Sequence, residues 1–294
     1  MFMHWQKVTL AGVGLLGGSI GLAIKQRGLA DRVEGFVHRT ASIAECEQLG
    51  VVDHATPSLH RAVEDADLVI LCTPLSRMPE IAAQMAPVLK KGAIVTDVGS
   101  AKSTVVEALE PIVNAAGGHF VGSHPMAGGE KTGPSAARAD LFESAICLVT
   151  PTPNSDRQAV VTVEDFWKAL GGRVLKFSPA IHDDLVSRAS HLPHVVASEL
   201  ANYILSPAHP AEQATVCANG FRDTTRIASG SPEMWVDIAM ANRKNLGRVL
   251  GVFIEDMQEF QLALENGDAR AIEEFFEKAK QRRDQWRGSG NSPE

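Results

Sequence analysis

Cysteine is scarce: Cys46, Cys72, Cys147 and Cys217 are the only four in 294 residues, far apart and without a CxxC spacing. A disulfide scaffold and a zinc-ribbon pattern are thereby excluded, and a reducing, cytoplasmic setting fits. Positive charge is also short. With 28 Lys and Arg against 35 Asp and Glu, the net charge is -7, so no global basic field invites nucleic acid. There is no internal repeat and no low-complexity block. Only Val8 to Ile24 runs long without charge, and its glycines, its missing small-residue cleavage site and the Lys25-Gln26-Arg27 that follows argue against a signal peptide. A membrane helix needs about 20 strongly apolar residues, and glycine builds one poorly, so no membrane partner is expected. Hydrophobic residues at 45% and charged ones at 21% describe an ordinary globular chain, long enough for two domains.

The first half alternates β-branched runs with amphipathic segments. Strands are expected at Lys7-Val13, Arg32-His38, Asp67-Cys72, Ala93-Val98 and His119-Gly122, with helices at Leu15-Arg27, Pro79-Leu89 and Ser103-Ala116. Continuous Val/Ile/Leu runs mark strands buried on both faces, and βαβ alternation implies a parallel sheet covered by helices. Ala145-Val149 and Arg173-Phe177 flank a further helix at Asp156-Leu170. From Pro179 onward only helical periodicity remains, in Asp183-Leu205, Pro232-Leu264 and Ala269-Trp286. The expected class is α/β: a Rossmann-type, mostly parallel sheet over 1–178, then an all-helical dimerisation domain over 179–288 and a tail at 289–294. Asn242-Phe260 is apolar on more than one side, through Leu246, Val249, Leu250, Phe253, Ile254 and Met257, and so reads as a buried helix of the kind found between subunits.

Gly12-Val13-Gly14-Leu15-Leu16-Gly17 is a GxGxxG placed after a strand and opening a helix. Its first glycine permits the tight turn, its second lets the backbone approach a pyrophosphate and its third packs helix on strand. Free N–H groups at the helix start face the anion. About 20 residues on, an acidic residue would select NAD by its ribose hydroxyl. Here the chain reads His38-Arg39-Thr40, and Glu34 comes too early. Arg39 with Thr40 suits a 2′-phosphate, which favours NADP over NAD.

A nicotinamide enzyme needs a group to take the proton of the alcohol it oxidises. Among ten histidines, His4, His38, His54, His60 and His209 lie in polar surroundings and read as surface residues. His191 and His194 form an HxxH without an intervening Glu or an evident third ligand, so no metal is expected. His124 differs: it follows the strand His119-Gly122 in a loop at the strand's carboxyl end, where open α/β sheets bind ligands. Ser100, at the same end of the preceding strand, comes within hydrogen-bonding reach of His124, or caps the helix Ser103-Ala116, or does both.

GxGLxGGS, TDVGSAK, GSHPMAGGE, ASHLPH and GFRDTTR, in this order, resemble the prephenate dehydrogenase family, which includes arogenate and cyclohexadienyl dehydrogenases. The likeness spans nearly the whole chain. It implies a Rossmann domain, a helical domain forming a homodimer, and an active site between them where a 4-hydroxycyclohexadiene loses hydride and CO₂. Carried over by position, it makes His124 the acceptor of the ring hydroxyl's proton and Ser100 the group that orients it. Arg226 resembles the arginine that grips a substrate carboxylate, and Arg222, four residues earlier, is a second cation. His191, Glu130 and Trp235 match residues lining the family's pocket, and Thr73-Pro74 matches the loop touching the cofactor. These pocket residues favour prephenate, making 4-hydroxyphenylpyruvate for tyrosine biosynthesis, whereas NADP use within the family often accompanies arogenate. Two rival readings are weaker: a 3-hydroxyacid-type dehydrogenase, whose catalytic lysine is resembled by Lys244 beside Asn245 although the surrounding pattern is not that family's, and a non-catalytic NADP-binding module, which would not need His124, Ser100 and Arg226. The two domains use nearly all 294 residues, so no regulatory domain is expected and any inhibition by tyrosine would act at the active site.

Overall fold

The computed structural model describes residues 4–129, 131–210 and 212–286. Its first part runs β1 (Trp5–Ala11), α1 (Leu15–Arg27), β2 (Ala30–Phe36), α2 (Ser42–Gln48), β3 (His54–Thr56), α3 (Leu59–Val63), β4 (Leu68–Leu71), α4 (Met78–Met85), β5 (Ile94–Asp97), α5 (Ser103–Ala115) and β6 (His119–Phe120). These six strands form one sheet in the order β3-β2-β1-β4-β5-β6, every pairing parallel. Strand order reverses between β1 and β4, which opens a crevice at their carboxyl ends.

The alternation of strand side chains splits the core in two. Val8 and Leu10 of β1, with Leu68 and Ile70 of β4, pack on one face against α1. Ala11, Val69 and Leu71 pack on the other against Met78, Ile81 and Leu109. Both faces are covered, which is why these strands read as unbroken apolar runs.

The expected strand His119-Gly122 divides. Its start is β6, and Gly122–Pro125 forms β7 of a second sheet with β8 (Ile146–Thr150) and β9 (Arg173–Lys176), on either side of α6 (Arg157–Ala169). His124 therefore lies within a strand, antiparallel to β8 opposite Leu148, and not in a loop. Side chains, rather than a shared ladder, join the two sheets: the Thr96 hydroxyl lies 2.8 Å from that of Ser123, and Ser123 Oγ donates to the Asp97 carbonyl at 2.6 Å.

No strand follows Lys176 among the described residues. The helices are α7 (Pro179–Val186), α8 (Leu192–Ile204), α9 (Glu212–Thr215), α10 (Asn219–Thr225), α11 (Pro232–Ala241), α12 (Arg243–Glu265) and α13 (Ala269–Gln285). The run expected as one helix from Asp183 to Leu205 is broken by a π-helical turn at Ser187–His191. Pro193 explains the break, since it lacks an N–H and its ring crowds the carbonyl four residues back. The second long run breaks at Asn242, whose amide is committed to tertiary partners. The helix expected to be buried is only partly so: Leu246 and Val249 are buried, but Ile254 and Met257 are exposed in the single chain. The tail at 289–294 lies outside the described residues. Among those described, no helix is long and apolar enough to cross a membrane.

Candidate active site

Three glycines of the β1–α1 turn are required for three different reasons. Gly12 has φ 104°, and a Cβ there would stand 2.8 Å from the Cys72 carbonyl oxygen. A Cβ on Gly17 would stand 2.1 Å from the Gly12 carbonyl oxygen, so this glycine seats α1 on β1. Gly14 has nothing within 4 Å of where its Cβ would be. Space kept clear at Gly14 is space for a ligand, and α1 begins there with no side chain capping its N–H groups. Gly17→Ala is expected to destabilise the chain by about 1–3 kcal/mol, as overpacking does, and to weaken cofactor binding. Denaturant unfolding and a fluorescence titration check this; wild-type values for both would show the turn to be slack.

This turn forms one wall of a cleft of about 620 Å³ lined by Gly12, Gly14, His38, Arg39, Thr73 and Pro74, among others. The cleft lies at the reversal point of the sheet, and its volume is that of a cofactor site. Thr73 Oγ1 is buried without a hydrogen-bond partner among the described residues, an acceptor and donor left for a ligand. The residues present therefore fit a dinucleotide. Leu15, Leu16 and Gly17 stand in the first turn of α1 behind the wall, and Thr40 stands beside Arg39 in the turn that opens α2. Sequence reasoning missed Ser42 and Arg77, which line the same cleft. Arg77 follows a proline-bearing loop and carries no motif of its own.

His124 is buried, and its Nδ1 lies 2.9 Å from Nε2 of His182. His182 Nδ1 in turn lies 2.9 Å from the Asp183 carboxylate. That carboxylate accepts the N–H groups of Lys102 and Ser103, at 2.7 and 2.9 Å, and so caps α5. Of the two expectations for Ser100, the helix cap needs correction. The Nδ1 of His124 is occupied by His182, no hydrogen bond joins Ser100 to His124 among the described residues, and Asp183 takes the cap. Asn242 donates to the Asp183 carbonyl at 2.8 Å and lies 3.2 Å from His191 Nδ1. With its oxygen taken by Asn245, the Asn242 amide is the donor to His191. His191 is thus a buried member of this network, with the Ser100 main chain facing its ring, and its Nε2 has no hydrogen-bond partner of good geometry among the described residues.

Burial pushes the His124 imidazole well below its usual range, and His182, Lys102 and His191 push the same way. Burial likewise lowers His182, against the pull of Asp183, and takes His191 down to about 4. Burial alone would raise the Asp183 carboxyl, but hydrogen bonds from His182, Ser103 and Lys102 outweigh it and hold the group low. The centre is a neutral imidazole pair on an ionised carboxylate. Behind it, fully buried Lys102 pairs with Asp97 and donates to the Ser123 carbonyl at 2.8 Å, one residue from His124.

Trp235 stacks on His194, ring centroids 3.4 Å apart, and its indole Nε1 is buried without a partner among the described residues. Arg222 is exposed on α10 and Arg226 is exposed where that helix tightens into a 3₁₀ turn. Lys244 is exposed, whereas Asn245 serves Asn242. Glu130 lies outside the described residues. His182, Asp183 and Asn242 escaped sequence reasoning because they stand 58, 59 and 118 residues from His124, and only the adjacent His-Asp pair was there to notice.

Residues 20–176 match the family model described as prephenate dehydrogenase, nucleotide-binding domain, and residues 178–280 match its dimerization domain. A cyclohexadienyl dehydrogenase of Zymomonas mobilis is 34% identical over 96% of each chain. A prephenate dehydrogenase of Bacillus subtilis is 35% identical over 94% of this chain and 75% of its own. The crystal structure of an Aquifex aeolicus prephenate dehydrogenase, in complex with hydroxyphenyl propionate and NAD⁺, superposes with a TM-score of 0.89 at 31% identity, covering 95% of this chain and 98% of that one. The chain belongs to the prephenate dehydrogenase family of NAD(P)-dependent oxidoreductases.

Proposed function

We propose that this chain oxidises and decarboxylates prephenate to 4-hydroxyphenylpyruvate, with His124 as the general base. One observation carries the reading: His124 is buried and, among the described residues, hydrogen-bonded through Nδ1 alone, which leaves Nε2 to accept a proton, and burial holds the imidazole below its usual range. A nicotinamide bound in the cleft supplies the hydride acceptor for C4 of the ring. His124 Nε2 takes the C4 hydroxyl proton as the C=O bond forms. The bond from C1 to the ring carboxylate then breaks, its electron pair enters the ring to make it aromatic, and His124 returns the proton to the phenolate oxygen. Arg226 and Arg222 hold the carboxylates, Ser100 lies by the ring hydroxyl, and His191 and Trp235 belong to the pocket wall. Aromatisation drives the step, so positioning and one base are what the protein must add.

Arg39 and Thr40, in a stretch without an acidic residue to pair a ribose hydroxyl, support NADP, and Glu80, which lines the same cleft, is paired with Arg77 at 3.1 Å. Arg39→Ala is expected to lower kcat/KM with NADP⁺ by about 10- to 100-fold, the worth of one charge-assisted hydrogen bond, and to change that with NAD⁺ little. Equal losses with both cofactors would set this reading aside. The chain divides into a dinucleotide-binding part at 1–178 and a helical part at 179–288. Val252, Ile254, Met257, Leu262 and Leu264 of α12 are exposed apolar side chains that support a homodimer through the helical part. All four cysteines are free, which supports a cytoplasmic setting. Specificity constants for prephenate and arogenate with NAD⁺ and NADP⁺ test the function. Turnover of arogenate alone would replace the substrate, and turnover of neither would overturn the reading.

A further inference from the structure

We propose that His182 is a positioning residue: it holds His124 in the tautomer that keeps Nε2 free, and it shares the charge that His124 acquires on taking a proton. The inference rests on the reading of His124 as the base.

The hydrogen bonds can run in only one direction. Asp183 is an ionised carboxylate that already accepts two main-chain N–H groups. It cannot donate, so His182 Nδ1 carries the proton across the 2.9 Å contact. A neutral imidazole protonated on Nδ1 has its lone pair on Nε2, and that atom faces His124 Nδ1 at 2.9 Å. His124 must then donate from Nδ1, and its own lone pair lies on Nε2. The bond made by one ring nitrogen decides which tautomer the other shows. Without His182 nothing in the described contacts of His124 would keep the proton off Nε2, where it would block base catalysis.

The charged groups around His124 make the second half of the case. Lys102 and Asp97 form a buried pair behind it, His182 and Asp183 face it from α7, and His191 faces it from the π-helical turn. When His124 becomes an imidazolium, its Nδ1–H donates to His182, whose far side donates to Asp183. The line ends on a carboxylate, so the new charge meets an acceptor without any further proton transfer. Asp183 caps α5 without help from His182, so a residue needed only for packing at position 182 requires neither a donor nor an acceptor.

Long-range ¹H–¹⁵N spectra of the histidine rings in the wild-type protein test this first. His124 protonated on Nδ1 is expected, and His124 protonated on Nε2 overturns the proposal, with no variant needed. His182→Phe is expected to bring His124 to the Nε2–H form and to lower kcat about 10²-fold, the lower end of what a general base contributes. His182→Gln, whose amide can stand where Nε2 does and accept from His124, is expected to recover most of that loss. In a His124→Asn background His182→Phe is expected to change the residual rate less than about 2-fold, since independent sites add and coupled ones do not. Equal losses in both backgrounds make the role of His182 structural and overturn the proposal. If His124→Asn alone keeps wild-type turnover, the base reading fails and charge sharing with it, while the tautomer measurement still decides its own half.

Discussion

His124→Asn is expected to lower kcat by about 10²–10⁴-fold, the contribution of a positioned general base, while the dissociation constant for the cofactor stays within a factor of two or so of wild type. Asn keeps a polar group opposite His182 but has no lone pair basic enough to take a proton. Turnover of prephenate and a fluorescence titration with NADPH separate the two effects, and wild-type turnover would remove His124 from the base role. The same residue dictates a pH profile. Burial and the neighbouring His182, Lys102 and His191 depress the His124 pKa well below 6.5. The neutral, active form therefore persists as pH falls through 6.5, and kcat/KM is expected to drop only well below that value. An acid limb at the ordinary histidine position would mean that the imidazole is wetter or differently paired in the working enzyme.

Lys102→Met is expected to destabilise the fold by about 3–5 kcal/mol, because it strands a buried carboxylate. Lys102 and Asp97 are both fully buried and paired, and the ammonium also donates to the Ser123 carbonyl at 2.8 Å. Asp97 accepts N–H groups from Gly99, at 2.8 Å, and from Ser123, at 3.2 Å, so it cannot simply turn away when its partner is removed. Urea unfolding gives the number, and Lys102→Met with Asp97→Asn is expected to lose less than the sum of the single changes. Additive losses would mean that the two groups do not depend on each other. A second effect follows from charge. Lys102 helps to hold His124 neutral, so its removal is expected to raise the His124 pKa and to move the acid limb of kcat/KM upward.

Much of the first sheet was readable from the chain. Val8, Leu10, Ile70 and Val95 are apolar because both faces of a parallel sheet are covered, and that requirement writes itself into consecutive residues. The glycine loop was equally plain, since tight turn, open approach and close packing each exclude a side chain at a fixed spacing. What was misread lies where the chain changes partners without changing character. His119 to Pro125 looks like one strand and a loop, yet it serves two sheets, because Asp97 and Thr96 hold Ser123 by side chains that no periodicity records. Asn242-Phe260 reads as a helix buried between subunits, and in the single chain Val252, Ile254 and Met257 of α12 are exposed.

Fold class and cofactor class were thus determined by the sequence alone, which also singled out His124 as the proposed base, since each reading depends on residues within one turn or one stretch of chain. Tertiary structure decided who holds that histidine. His182 and Asp183 come from α7, Asn242 from the junction of α11 and α12, and Lys102 from the start of α5. Their hydrogen bonds are made only once the helical part has closed on the sheet. A local pattern is set by the backbone's own period, whereas a buried polar network is set by which donors and acceptors the folded chain leaves facing one another.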